Sequence, residues 1–524
     1  MNNTLQHPAI HAVSQPDRPA FIMATSGEIV TYRDLDRRSC QAAQLFRALG
    51  LKAGDHIAIQ MENNRHFMEI MWGAQRAGLI YTAISSHLKC DEASCIVANC
   101  LARVLITSAA LAEVAMDMVG KVNAVQLFMV DGTRPGFESW EKALARQSET
   151  PIADEQAGIQ MLYSSGTTGQ PKGILPTWQP GSPVHQMSTA MASLADFFQI
   201  DENTVYLSPA PLYHAAPLVY NTLVMSRGGT SVIMEKFDAE SSLALIGRYG
   251  CTHSQWVPIM FIRMLKLPEA IRAKCDVSSM RIAIHAAAPC PREIKEQMIA
   301  WWGNIIWEYY SSTEGAGATI INTEQWLAHP GSVGVAVNSK VHIVDDAGKE
   351  LPAGKVGTVY FSDGLQSFEY FNEPERTRDA YNEKGWSTSG DVGYVDEAGF
   401  LYLTDRRNFM IISGGVNIYP QEIENILITH ERVADVAVFG IPNAEFGEEV
   451  KAVVQPRHWS DAGDELALEL MQWCRRRLSG VKCPRSIDFK RELPRLDNGK
   501  LYKRLLRDSY LQAATASLIA HSPA

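Results

Sequence analysis

Tyr163-Ser164-Ser165-Gly166-Thr167-Thr168-Gly169-Gln170-Pro171-Lys172-Gly173 is the stretch from which the rest of the 524-residue chain is read. Its three glycines permit a backbone path that turns successive N–H groups inward. Ser164, Ser165, Thr167 and Thr168 add hydroxyl donors at the same place, and Lys172 adds one positive charge. A polyphosphate is the ligand such a cradle suits. The spacing G-x-x-x-x-G-K-[ST] is absent, so the run is not a Walker A loop. Read alone, it is also compatible with a Ser/Gly-rich surface turn.

Upstream of the loop, short apolar runs alternate with amphipathic stretches. Thr31 opens a helix with Asp34 three residues on, a capping-box spacing. Leu35, Leu45, Phe46 and Leu49 supply its apolar side, and Gly50 stops it. His56–Met61 is expected as a buried strand, 65–77 as a helix, Leu79–Ile84 and Val104–Thr107 as further strands. Such alternation predicts mostly parallel sheets covered by helices. Downstream, 341–345, Gly348 and 358–362 predict a β-hairpin. After Gly399 a strand-like run carries a charged kink at 405–408. Beyond it come a helix near 420–429, strands at 433–439 and 449–455, and a helix near 466–478, the pattern of a small α+β domain. The expected fold class is therefore α/β, with a large N-terminal domain (1–407) and a small C-terminal domain (408–524). The tail from Ala514 onward is expected to be loose.

Composition narrows the function. The chain is 46% hydrophobic and 20% charged, with a formal net charge of −10. Its length exceeds the ~250–300 residues at which a single core stops growing. A modestly acidic chain lacks the basic footprint of sequence-independent nucleic-acid binding. The N-terminus has no basic region followed by an apolar run, and no apolar stretch approaches the ~20 residues of a membrane span. A soluble cytoplasmic protein is expected. The nine cysteines are scattered, and an odd number in such a chain argues against a disulfide framework. Cys90, Cys95 and Cys100 do not share a helix face at five-residue spacing, so buried thiols are expected there and not a metal site.

Further segments echo the loop in a fixed order. They are Tyr310-Ser311-Ser312-Thr313-Glu314-Gly315, Ser389-Gly390-Asp391, Asp405-Arg406 with the run from Ser413 to Glu424 (SGGVNIYPQEIE), and Asp497-Asn498-Gly499-Lys500. Together with the 163–173 loop they resemble the signature motifs of the adenylate-forming superfamily: acyl-CoA synthetases, adenylation domains and firefly-type luciferases. The resemblance spans residues 20 to 510 or so. It implies an N-terminal domain with a β-barrel-like subdomain and a mobile C-terminal domain. It also implies an AMP-forming acid–CoA ligase that uses ATP, Mg²⁺ and coenzyme A.

The resemblance assigns roles. Ser164, Ser165, Gly166, Thr167, Thr168, Gly169 and Lys172 would cradle phosphates. Glu314 would be the metal carboxylate, with Thr167 as hydroxyl ligand or neighbour. Tyr310 would lie on adenine, Asp391 on the ribose hydroxyls, and Arg406 near ribose and phosphate, with Thr313 and Ala288 also beside the nucleotide. Lys500 would bridge the acid carboxylate and α-phosphate, because two anions must meet and the site must neutralise them. The family pattern then rotates the small domain and brings Gly414 and Gly415 beside the pantetheine arm.

By position, Pro211–Pro217, Gln255–Met260, His285–Pro289 and Gly315–Ala318 would line the acyl pocket, with His214, Trp256, Ala286, Ala287 and Gly315 as contacts. All four segments are apolar or aromatic, as a lipophilic acid demands. None offers an acid for an amino acid's ammonium group. His214 would gate the pocket or orient the carboxylate, or be a structural histidine. Ala286 and Ala287 stand where family members often have two glycines, which favours a compact acid: medium-chain, branched, aryl or ring-bearing. Asn408 and Phe409 depart from the charged hinge residues usual in the family. Three rivals share the motifs or part of them: a carrier-loading acyl-AMP ligase, a luciferase-like oxygenase and a catalytically silent acyl-nucleotide binder. A homodimer is left open.

Overall fold

The computed structural model describes residues 6–122, 126–164, 172–364, 368–406, 410–413, 416–443, 445–495 and 501–520. Side chains of 164, 405, 406, 417 and 512–520 are outside the description.

The expected alternation appears as two stacked-element sheets. In the first, strands Glu138–Ser139, Gln126–Val130, Ala102–Ser108, His56–Gln60, Ile80–Ile84 and Ile159–Gln160 lie side by side in that order, all parallel. Every residue of His56–Gln60 and Ile80–Ile84 is buried. That is why these strands read as continuous apolar runs: both faces of a parallel sheet are covered. Helix Tyr32–Ala48 covers part of it. The Thr31 hydroxyl accepts the Asp34 N–H and donates to the Asp34 carboxylate at 2.7 Å. Gly50, at φ 76°, takes the left-handed turn after the last helical residues, which a side chain would strain.

The second sheet has nine strands, of which six are parallel: Pro19–Met23, Thr230–Ile233, Val205–Ser208, His253–Trp256, Ile282–His285 and Ile306–Ser311. Antiparallel strands extend both edges, Ile29–Thr31 at one and Ala318–Ile321 with Val335–Val337 at the other. Successive side chains point to opposite faces. One face packs Leu207, Trp256, Ala283 and Ile306 with helices Ala239–Tyr249, Pro258–Leu265 and Arg292–Trp302. The other packs Tyr206, Ile282 and Ile284 with helices Thr189–Phe197 and Ala215–Ser226.

Two antiparallel sheets complete the larger part. Lys340–Val344 pairs with Gly357–Ser362 as the expected hairpin, continued by Asp391–Val395 and Leu401–Arg406. Phe368–Tyr370, Lys172–Pro176 and Leu162–Ser164 form the other. The chain then builds a last sheet from Val416–Ile418, Ile411–Ser413, Gly447–Pro456 and Val433–Asn443, with helices Pro420–Leu427 and Asp464–Arg475 against it. A parallel strand, Ser486–Phe489, joins this sheet beyond the expected pattern. The tail differs from expectation as well: helix Lys503–Ala520 runs through most of the stretch expected to be loose. Its first turns are held by Leu506, buried against Ala437, Phe439 and Val453, which orders the helix that follows. Cys90 and Cys100 are buried thiols as expected, whereas Cys95, also expected to be buried, is exposed. No helix among the described residues is long and apolar enough to cross a membrane.

Candidate active site

The phosphate-loop residues Ser165, Gly166, Thr167, Thr168 and Gly169 lie outside the described residues. The strands on either side fix both ends of the loop. Ser164 faces Lys172 in antiparallel register. Next to it, a Cβ on Gly173 would stand 3.0 Å from the Tyr163 ring and 3.4 Å from Phe371, a close approach that a bare backbone permits.

Lys172 does not point into bulk water. Its ammonium sits 4.6 Å from the centre of the Tyr370 ring, and the Tyr370 hydroxyl donates to Glu314 Oε1 at 3.0 Å. Tyr370 thus connects the end of the phosphate loop to the expected metal carboxylate. Burial, then the adjacent Glu314 charge, pushes its phenol well above the ordinary range, so it remains a neutral donor. Sequence reading passed over Tyr370, because no motif contains it. The available signal was alternation: in Phe368–Tyr370 the outer residues are buried and Glu369 is exposed. Glu314 lies in the turn 312–315 between antiparallel strands Ile306–Ser311 and Ala318–Ile321. Gly315 closes that turn, its N–H on the Ser312 carbonyl at 3.0 Å and φ 68°. Thr313 is exposed at the tip. Among the described residues the second Glu314 oxygen makes no hydrogen bond, so a hard oxygen is open to a cation of the Mg²⁺ type.

Tyr310 and Asp391, 81 residues apart, are directly bonded: the phenol donates to Asp391 Oδ2 at 2.6 Å, and Ser389 Oγ donates to the same oxygen at 2.8 Å. Asp391 is buried, and its strand places it opposite Arg406. The Arg406 side chain, Gly414, Gly415, Asn408, Phe409 and Lys500 lie outside the described residues. The loop that carries Lys500 is nevertheless bracketed. Arg495 bridges to Leu501 and pairs through two nitrogens with Asp435, while Lys503 Nζ reaches the buried Glu424 carboxylate at 2.9 Å.

The acyl-side segments divide. Loop 210–212 is pinned by Asn63, which accepts the Leu212 N–H at 2.7 Å and donates to the carbonyls of Ala210 and Met234 at 3.1 and 2.7 Å. Asn63 was invisible to local sequence reading, since its partners are about 150 residues away. His214 follows as the residue before helix Ala215–Ser226, half-buried, its ring 4.5 Å from that of Tyr213. Ala286 is buried, Ala288 half-buried and Ala287 exposed. Ala287 adopts φ 73°, a left-handed conformation that glycine takes without strain.

Trp256 corrects an expectation. Its indole is 1% exposed, packs against Phe237, Phe261 and Trp302, and donates to Ser254 Oγ at 2.5 Å. Strand alternation turns it into the core, and its neighbour Gln255 takes the other face. There Gln255 Nε2 donates to the Tyr309 hydroxyl at 2.8 Å, and the rings of Tyr309, Tyr220 and Tyr206 follow in a near-parallel row at 6.4 and 6.1 Å. His285 likewise points into the core, towards Phe261 and the buried Lys295–Glu308 pair.

This geometry meets known proteins at both ends of the chain. Residues 9–369 match the family model described as AMP-binding enzyme, and residues 422–500 match the AMP-binding enzyme C-terminal domain. The chain belongs to the AMP-binding enzyme family, and so to the adenylate-forming superfamily. Among its relatives, the long-chain-fatty-acid–CoA ligase FadD13 of Mycobacterium tuberculosis is 31% identical over 510 residues, which cover 95% of this chain and 97% of that one. The fatty acid–[acyl-carrier-protein] ligase ScoC of Streptomyces coeruleorubidus is 28% identical, covering 97% of each. The crystal structure of ATP-bound MatB from Rhodopseudomonas palustris superposes with a TM-score of 0.79 at 26% identity, covering 97% of this chain and 99% of that chain.

Proposed function

We propose that the chain is an AMP-forming acid–CoA ligase that activates a compact hydrophobic carboxylic acid with ATP and passes the acyl group to coenzyme A. The observation that carries this reading is the Lys172–Tyr370–Glu314 contact, which sets a phosphate-loop cation over a ring whose hydroxyl holds a carboxylate with one open oxygen. Attack of a carboxylate on the α-phosphorus brings two anions together, and catalysis is mostly charge neutralisation and alignment. Lys172 and the loop hydroxyls hold the phosphates. Glu314, with Thr167, would hold a magnesium ion, which when bound neutralises phosphate charge. The Tyr310–Asp391 pair forms the nucleoside wall: the ring offers a face to adenine, and the carboxylate accepts from ribose hydroxyls.

Lys500 acts in the first half-reaction, delivered by a small domain that pivots at 407–408. Gly414 and Gly415 then line the path of the thiol. The acyl group lies beside His214 and Ala286–Ala287, beneath helix Ala215–Ser226. The half-buried Tyr309, bonded to Gln255 on that face, supports an aryl or ring-bearing acid, because an aromatic face stacks on a ring.

The test incubates the protein with ATP, Mg²⁺, CoA and a panel of acids, following AMP and thioester. Thioester from compact acids is expected. Pyrophosphate exchange without thioester would instead support carrier loading, the activity named for ScoC. Lys500→Ala is expected to lower adenylate formation by about 10²–10³-fold, the scale of losing one charge stabiliser. It should spare thioester formation from supplied acyl-AMP, and equal loss of both half-reactions would contradict the assigned role.

A further inference from the structure

A buried ion pair lies in the core beside the loop that joins strand Ile282–His285 to helix Arg292–Trp302, and no step described above uses it. Lys295 stands one turn into that helix. Its Nζ is 2.5 Å from Glu308 Oε2, and the two side chains are 1% and 8% exposed. The ammonium also lies 4.9 Å from the centre of the Trp326 ring. His285 is fully buried, its Nε2 3.5 Å from the same carboxylate oxygen, and neither ring nitrogen has a hydrogen-bond partner among the described residues. Burial, then the Lys295 charge, holds that imidazole well below its usual range, so it stays neutral. Among the described residues Lys295 and Glu308 pair only with each other.

Glu308 anchors the loop at both ends. In the parallel register it lies opposite His285, the last strand residue before the loop. Through Lys295 it also holds the first turn of the helix into which the loop runs. That helix starts without a side-chain cap. Between the anchors the loop has little support of its own. The Ala286 N–H reaches the Trp256 carbonyl at 3.2 Å, and among the described residues 287–290 make no hydrogen bond. Ala287 nevertheless holds φ 73°, a conformation that persists only where the surroundings over-determine it. Glu308 and Tyr310 are two residues apart and leave their strand on the same face. The carboxylate that closes the loop therefore belongs to the strand that aims Tyr310 at Asp391. Stability does not account for the pair, because the desolvation of a buried ion pair can exceed its attraction, and apolar residues of similar volume often serve as well. The best-attested use of such a pair is to select one arrangement over near alternatives.

We propose that Lys295 and Glu308 are positioning residues: their buried pair closes loop 286–291 onto strand Ile306–Ser311 and fixes Ala286, Ala287 and Ala288 relative to Tyr310. The consequence for activity rests on the reading above, in which Ala288 and Tyr310 flank the nucleotide and Ala286–Ala287 the acyl group. Neither residue touches substrate. Both act through the loop, which the pair holds in a strained shape that the loop's own bonds do not maintain.

The test separates stability from positioning in the full chain. Lys295→Met and Glu308→Leu each strand one buried charge, and each should lower the melting temperature. The double variant, Lys295→Met with Glu308→Leu, removes both charges and should regain most of that loss. Its loop should nonetheless be released: amide hydrogen exchange at 286–291 should be faster than in the wild type, with the rest of the sheet unchanged. In pyrophosphate exchange, kcat/KM for ATP should fall about 10²-fold, the scale of a misplacement of about 1 Å. Glu308→Gln should show the opposite pattern. It keeps an oxygen for Lys295, so exchange at 286–291 stays slow while the melting temperature falls. A double variant with wild-type melting, wild-type exchange at 286–291 and wild-type ATP kinetics would overturn the proposal. A double variant as unstable as the single ones would overturn it as well, because the pair would then serve stability alone. If the wild type does not bind ATP, the ligase reading fails, and the hydrogen-exchange comparison still decides whether the pair holds the loop.

Discussion

Tyr370→Phe isolates the link between the phosphate loop and Glu314. The substitution keeps the ring that Lys172 lies over at 4.6 Å and removes only the hydroxyl that donates to Glu314 at 3.0 Å. A hydrogen bond to a charged group contributes about 1.5–3 kcal/mol, and Glu314 is only half-buried, so about 1–2 kcal/mol is the relevant range. If that bond holds the carboxylate in place for a cation, its loss appears as weaker Mg²⁺ use. At about 1.4 kcal/mol per tenfold, the Mg²⁺ concentration for half-maximal pyrophosphate exchange should rise roughly 5- to 30-fold. The KM for the acid should stay near its wild-type value, because Tyr370 is placed on the nucleotide side. Thioester formation from supplied acyl-AMP should be spared, since no pyrophosphate leaves in that step. The assay is Mg²⁺-dependent isotope exchange at saturating ATP and acid, with a melting curve as control. An unchanged Mg²⁺ dependence beside a lowered melting temperature would refute the reasoning and make Tyr370 a packing residue.

Three further expectations follow from particular contacts. Ala287→Gly should raise stability by about 1 kcal/mol, seen as a higher melting temperature, because it relieves a left-handed alanine at φ 73°. The same variant should shift acid preference towards longer chains, and an unaltered chain-length profile would place the acyl group elsewhere. Lys266 Nζ donates to the carbonyls of Ile428 and Val433, and Arg457 donates to the Lys266 carbonyl. Burial, then the Arg457 charge, lowers its ammonium from 10.5 to about 8. The docked arrangement binds fewer protons than the undocked one. Its cost is therefore present in full below pH 8 and falls away as pH rises from about 8 to 10.5. Protease resistance of the 428–433 segment should increase across that window in the wild type and stay flat in Lys266→Met.

The elements most legible in the sequence are those whose signal is local. Helix Tyr32–Ala48 was announced by Thr31 and Asp34, three residues apart, and the 340–362 hairpin by two alternating runs around a glycine. The strand Ser486–Phe489 was not, because its residues are all half-buried and its partner lies some 35 residues back. The tail from Ala514, expected to be loose because it is terminal, continues helix Lys503–Ala520 as far as residue 520. What orders it is the contact of Leu506 and Tyr510 with Ala437 and Phe439, which no local pattern encodes.

The site divides along the same line, and the division explains why motif residues alone do not give its geometry. A motif marks a turn or loop whose backbone the ligand approaches, so glycines and hydroxyls betray it locally. The groups that orient those loops come from other strands and are chosen by register. Tyr370 reaches Glu314 because Phe368–Tyr370 pairs with Lys172–Pro176, Ile174 opposite Tyr370. Tyr310 reaches Asp391 across two different sheets. Trp256 departs from its expected face for the same reason: composition marks a pocket segment as aromatic, but only strand register decides which neighbour faces the ligand side. The supporting residues Tyr370 and Asn63 thus fix where the recognised ones point. A change in sheet register would scatter the recognised residues while leaving every motif intact.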